Sequence, residues 1–176
     1  ILTCRQMGIE IMPPDINAGY SGFSVSGGAI RYGLSAIKSI GKSVVDAIIK
    51  ERETNGPFVS MENFVERMSN KEVNRRTLES FIKSGALDSL PGTRKQKTMV
   101  APEVLDQKNR DKKNTIEGQM SLFDLVAEED KKDFQITFPD VGEFSKEEML
   151  TFEKEMLGTY VSGHPLDDYE ECWRKH

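Results

Sequence analysis

Residues 34–48 read LSAIKSIGKSVVDAI. Apolar residues on either side of Ser39-Ile40-Gly41-Lys42 recur at helical spacing, so the stretch reads as two short helical segments joined by a tight turn. Gly41 lets the backbone turn closely, and the first amide N–H groups of the second helix then have no intrahelical partner and point outward. The helix dipole favours an anion at that end and Lys42 adds a unit of positive charge, with Lys38, Ser39, Ile40 and Ser43 around the opening. Such a turn suits a nucleic-acid phosphate held without any base being read, which is the chemistry of a helix-hairpin-helix unit. The competing reading is an ordinary helical hairpin closed by a glycine.

The stretch has an echo. Residues 82–90, IKSGALDSL, repeat the IKSIG pattern 45 residues later, flanked by Arg75, Arg76 and Lys83. A tandem pair would grip both strands of a duplex across the minor groove, and Lys38 to Ser43 with Arg75, Arg76 and Lys83 are the candidate DNA contacts. Charge points to the same region. Residues 31–99 carry 13 Lys/Arg against 8 Asp/Glu, whereas residues 100–176 carry 10 against 19. A polyanion is therefore attracted to the middle of the chain and repelled by its end. Charge alone also fits two solvated faces.

Outward from the hairpins, FSV (23–25) and AIRYGL (29–34) around Ser26-Gly27-Gly28 read as a β-hairpin, with Pro13 and Pro14 fixing an extended approach. Val44, Val45, Ile48 and Ile49 continue a helix that Asn55-Gly56-Pro57 must stop. Ser60 caps a further helix with Met61, Phe64, Val65 and Met68 on one face, and Leu78, Phe81 and Ile82 mark another that ends at Gly85. Ser145 and Glu148 form a capping box before Met149, Phe152, Met156 and Leu157; Gly158 closes that helix ahead of a strand-like Thr159-Tyr160-Val161. From Lys95 to Gly118 apolar residues are sparse, so that tract reads as at best one held helical turn fraying into KNRDKKN (108–114), a mobile linker. The fold class expected is mainly α: a tandem helix-hairpin-helix domain with a small N-terminal β-hairpin and an extended linker.

Other chemistry is weakly signalled. Cys4 and Cys172 give no disulfide framework, which fits a reducing cytoplasm, and the absence of a long apolar run or a leader reads as a soluble chain. Cys172 and His176 have metal-like spacing but are only two ligands, so no metal is expected. His164 has no nucleophile or orienting carboxylate fixed near it, and Trp173 and the phenylalanines read as core. The opening ILTCRQMGIE, with no initiator Met, and the charged CWRKH close read as a piece of a longer protein.

Six separated motifs, PPDIN (13–17), IRYGLSAIKSIG (30–41), GPF (56–58), VNRRTLESFIKSGALDSL (73–90), GQMSLF (118–123) and EKEMLGTYVSGHPLDDY (153–169), occur in the order and spacing of the alpha subunits of bacterial DNA polymerase III, the C-family replicative polymerases, and the chain resembles that family over essentially its whole length. The SGHPLD run (162–167) distinguishes it from the second Gram-positive type of alpha subunit. The resemblance implies the end of the fingers domain with the β-hairpin over 1–30, tandem helix-hairpin-helix domain over 31–99, flexible linker over 100–143, and a helix and strand over 144–176 leading to an oligonucleotide-binding fold. It implies no catalytic carboxylates and no cofactor in this segment; the polymerase palm, with its Mg2+, lies elsewhere in such proteins. It also implies that Gln119, Met120, Ser121, Leu122 and Phe123 form a peptide for the sliding clamp (beta subunit), stranded for that reason in a solvated tract. The partners implied are duplex DNA, the clamp and the remaining polymerase domains; the alternative is a structural connector that touches neither DNA nor clamp.

Overall fold

In the computed structural model, residues 2–68, 73–116 and 136–166 are described. The elements are α1 (Leu2–Gln6), β1 (Ile11–Met12), β2 (Ser24–Ser26), β3 (Ala29–Arg31), a 3-10 turn (Leu34–Ala36), α2 (Lys42–Asn55), α3 (Met61–Arg67), α4 (Arg75–Lys83), α5 (Arg94–Ile116) and α6 (Lys146–Leu157). The fold is mainly α with a small N-terminal sheet, as the patterning requires.

Strands β2 and β3 pair antiparallel around Gly27 and Gly28, both in the left-handed region, where a two-residue hairpin turn needs them. A third strand was not legible in the sequence: β1 pairs parallel to β3, aligning Ile11 with Ile30 and Met12 with Arg31. Two residues are too short to show an alternating pattern.

Helices α2, α3 and α4 follow from their stop and start signals. Gly56 (φ 80) ends α2, Ser60 accepts from the Asn63 amide at the start of α3, and Asn74 accepts from the Thr77 amide at the start of α4. Their apolar faces meet in one core in which Val45, Ile48, Phe64, Leu78 and Phe81 are fully enclosed. Phe58, Phe64 and Phe81 pack edge to face in series, with centroids 5.1 and 5.6 Å apart, which adds about 0.5–1.5 kcal/mol per pair to their burial. The PPDIN loop stitches the two hairpins together. Asn17 both accepts from the Phe58 amide (2.8 Å) and donates to the Phe58 carbonyl (2.9 Å), the buried Arg52 donates to the Ile16 carbonyl, and the Ile16 amide donates to Ala86.

Four expectations are corrected. The tract from Lys95 is helical: α5 runs 23 residues, through position 99 and through Pro102, which has no N–H to give to the carbonyl of Thr98. Its inward face is written Arg94, Lys97, Val100, Ala101, Val104, so two cations stand where an apolar pattern was sought. Residues 136–143 also lie along the domain: the Ile136 amide donates to Glu62, Gln96 donates to the Pro139 carbonyl, and Phe138 sits over Gly92. Residues 159–161 form no strand. In α6 the buried positions are Leu150, Glu153 and Leu157, while Met149, Phe152 and Met156 are half-buried, so the inner face includes a carboxylate and is rotated from the all-apolar one expected. Of the tract expected to be mobile, about Lys108 to Asp130, residues 108–116 belong to α5 and residues 117–130 fall outside the described residues, as do Cys172, Trp173 and His176.

Candidate nucleic-acid interface

The two hairpins have opposite electrostatic finishes. At the first, Leu34 and Ile37 are buried under the turn, Lys38 to Ile40 run over the surface, and α2 begins at Lys42. The strained residue is Ser39 (φ 69); Gly41 is extended (φ −75, ψ 149). The close turn therefore rests on a serine held where L residues cost about 1–3 kcal/mol, a correction to the role read for Gly41. An added Cβ at Gly41 would meet only the Ser43 hydroxyl, at 3.7 Å, so nothing within the chain crowds that position. The start of α2 has no side-chain cap and no acidic residue in its first turn, and Gly41, Lys42 and Ser43 are exposed. Its outward amides and Lys42 face solvent.

A groove of about 600 Å³ beside this turn is lined by Ser39, Gly41, Val44, Asn74, Arg76 and Thr77. The N-termini of α2 and α4 thus converge on one depression, which doubles the partial positive charge there. Arg76 reaches across it to donate to the Ser39 hydroxyl at 3.3 Å.

At the start of α5, just after the second hairpin, the first amides are answered within the protein. Thr93 and Gln96 cap each other at the start of α5: the Thr93 amide donates to the Gln96 side chain (2.9 Å) and the Gln96 amide to the Thr93 hydroxyl (3.1 Å). The next two amides, of Arg94 and Lys95, donate to the two carboxylate oxygens of Glu143 at 2.8 and 3.0 Å. Partial burial raises the Glu143 carboxyl, but the amides of Phe144, Arg94 and Lys95 and the Arg94 charge outweigh it and hold the group below the ordinary carboxylate range. Arg94 itself is buried, donates to both oxygens of Asp88 and to the Lys83 carbonyl, and lies 3.8 Å from the fully buried Glu153. Glu153 in turn accepts from the Val161 and Ser162 amides, both at 2.9 Å. Lys97, also buried, donates to the Leu87 and Leu90 carbonyls at 2.7 and 2.9 Å; desolvation lowers its pKa, with Asp88 and Glu143 opposing.

The candidate residues therefore divide. Lys38 to Ser43 and Arg76 come together at the first hairpin. Lys38 is tied to α6 by its amide, which donates to the Met156 carbonyl. Arg75 is exposed and pairs with Glu79 at 2.9 Å. Lys83 pairs with Glu155 at 3.4 Å and lies over the Phe152 ring, facing α6. Gln119 to Phe123 lie outside the described residues. Sequence reading missed Arg94, Lys97, Glu143 and Glu153; the one signal available was the Thr-x-x-Gln capping pattern at 93–96. Among the described residues no group of His, Cys, Asp or Glu has the arrangement of a metal site, and no helix is long and apolar enough to cross a membrane.

Two helix–turn–helix units packed through one core, one with an open amide turn, define a tandem helix-hairpin-helix fold. Residues 8–97 match the family described as the helix-hairpin-helix motif, and the chain belongs to that family. Almost the whole chain is similar to the DNA polymerase III subunit alpha of Borreliella burgdorferi, with 42% identity over 168 residues, 96% of this chain and 15% of that protein. The subunits of Mycobacterium leprae and Deinococcus radiodurans are 38% and 39% identical over 93% and 94% of the chain, which are 14% and 12% of their own lengths. The chain spans about a seventh of the length of these relatives.

Proposed function

We propose that this chain is the tandem helix-hairpin-helix segment of a bacterial DNA polymerase III alpha subunit, and that it serves replication by holding duplex DNA without sequence preference at Ser39 to Ser43. The observation that carries the reading is the uncapped, acid-free start of α2 beside Lys42, in the basic part of a chain similar to replicative polymerase subunits. The turn offers backbone donors and Lys42 but no side chains aimed at base edges, so affinity would come from phosphate. Binding of this kind lies at about 10⁻⁴ to 10⁻⁶ M and falls steeply with salt. Polymer synthesis, with its carboxylates and Mg2+, would belong to other parts of the longer protein, and this segment would be non-catalytic and cytoplasmic with the rest of the replication machinery. The peptide Gln119 to Phe123 would bind the sliding clamp: Leu122 and Phe123 supply apolar anchors and Gln119 an amide that both donates and accepts.

The connector reading applies to the second hairpin. Its α5 amides are occupied by Glu143 and Lys83 by Glu155, which favours a structural role for that half and leaves the DNA contact to the first.

The test is a titration of fluorescent duplex DNA with the 176-residue chain across a salt series. Lys42→Glu should weaken binding and flatten the salt dependence by about one phosphate contact, a change of about 0.9 in slope. Unchanged binding in that variant, with its thermal midpoint intact, would refute the assignment of the surface.

A further inference from the structure

Ser39 is the one residue other than glycine, among those described, held at positive φ, and its hydroxyl accepts from a guanidinium that belongs to the other motif. Arg76 sits 37 positions along, in the first turn of α4. The base of that side chain is well fixed, because Asn74 accepts from both the amide (3.0 Å) and the hydroxyl (3.2 Å) of Thr77 and so pins the start of the helix. The neighbouring Arg75 spends its guanidinium on Glu79, so Arg76 is the arginine that reaches the hairpin. A glycine at 39 would adopt the left-handed turn without help; a serine adopts it at a cost, and the bond to Arg76 offsets part of that cost.

We infer that Arg76 is a positioning residue: it holds Ser39 in its left-handed conformation and thereby aims the amides of Gly41 to Ser43, making the geometry of the first hairpin depend on the packing of the second motif. This rests on the reading of Ser39 to Ser43 as a phosphate site, and it gives Arg76 a role distinct from touching phosphate itself. A contact residue acts on affinity through its own charge, whatever stands at 39. A positioning residue acts only while the turn needs it. The two differ in additivity and in salt dependence, and neither readout moves if Arg76 is merely part of a solvated surface.

The experiment compares duplex DNA affinity, at several salt concentrations, for the 176-residue chain, Arg76→Gln, Ser39→Gly and the double variant, each first shown to be folded by thermal unfolding. Loss of the positive charge costs the same in both backgrounds, so the difference between backgrounds isolates the tie. We expect Arg76→Gln to weaken binding about threefold to fivefold alone and at least about twofold less in the Ser39→Gly background, as loss of one hydrogen bond implies. The salt slope should fall by less than about 0.5. Equal cost in both backgrounds, or a slope that falls by about 0.9 as for one released counterion, would overturn the inference and make Arg76 a phosphate contact. Absence of duplex binding by the unsubstituted chain would instead refute the DNA-binding reading, and the inference with it.

Discussion

Lys97→Met removes an ammonium from the interior while keeping most of the side-chain volume, and the structure sets the size of the effect. Lys97 is 1% exposed and its Nζ serves two carbonyls of the second hairpin. The Leu87 carbonyl keeps the amide of Leu90 at 3.0 Å after the change, so only Leu90 loses the partner seen here. An orphaned buried carbonyl costs about 1–3 kcal/mol. Loss of the charge-assisted bonds is opposed by relief of the ammonium's desolvation, which amounts to several kcal/mol, so the orphaned carbonyl decides the sign. The expected loss is about 1–3 kcal/mol, and at about 2–4 °C per kcal/mol for a chain of this size the thermal midpoint should fall by roughly 2–12 °C. The pH dependence gives a second arm. Burial lowers the Lys97 pKa from 10.5, so between the lowered folded value and 10.5 the unfolded chain binds more protons and stability must rise with pH. The neutral amine still has two N–H groups for two carbonyls. Urea unfolding near neutrality and again approaching the unfolded lysine value should show that rise in the parent chain and its absence in Lys97→Met. A variant as stable as the parent at neutral pH, or identical pH profiles for the two, would refute the reasoning.

Gly92→Ala should destabilise the chain by about 1–3 kcal/mol, because φ is +88 and the new Cβ would lie 2.7 Å from the Phe138 ring; an unchanged midpoint in differential scanning calorimetry would mean the 136–143 strap does not bear on the domain. In acid the strap and the start of α6 should loosen first. The carboxyls of Glu143 and Glu148 are held low, the former by amides that outweigh its burial and the latter by the Ser145 amide and hydroxyl, so their contribution is present above the unfolded carboxyl value of 4.5 and is lost as pH falls through the depressed ones. Hydrogen exchange at the Arg94 and Lys95 amides reads this out; protection that stays constant down to global unfolding would contradict it. Replacing both Leu122 and Phe123 with Ala should abolish clamp binding while moving the midpoint by no more than about 2 °C. Survival of clamp binding alongside a sharp fall in midpoint would place the pair in the core.

How much of this was legible depended on which groups do the folding. Helices α2, α3, α4 and the capping box of α6 were readable because Ser60, Ser145, Gly56, Gly85 and Gly158 act locally, and the side chains they align are apolar. Helix α5 was not readable, since Arg94 and Lys97 occupy its inner face and their partners, Asp88, Glu153 and the Leu87 and Leu90 carbonyls, are assembled only by tertiary packing. The same reason hides Glu153 in α6: its partners are the Val161 and Ser162 amides and a guanidinium from another helix. A polar residue with a distant partner looks solvated in a sequence. At the candidate interface the turn itself was visible, but not the residue that bears its strain, because Gly41 draws attention and nothing local marks Ser39 for positive φ.

The echo of one hairpin in the other thus conceals a division of labour that charge placement enforces. An anion-binding turn has to leave its first amides unanswered, which costs stability unless solvent or ligand meets them. The start of α2 is in that condition, exposed and without an acidic neighbour in its first turn. The start of α5 is the reverse: a Thr-Gln box, a bidentate Glu143 and a buried arginine leave none of its first amides outward, and the segment that supplies Glu143 is fastened by Phe138 over Gly92 and by the Pro139 carbonyl on Gln96. Removing Glu143 would uncover two amides but also uncouple that strap, so the second hairpin has been committed to holding the domain together. One open turn with Lys42 offers few phosphate contacts, so duplex binding should be weak and should be lost as salt rises. On the proposed function, a grip of that kind would let go readily and would need a second tether to stay on DNA.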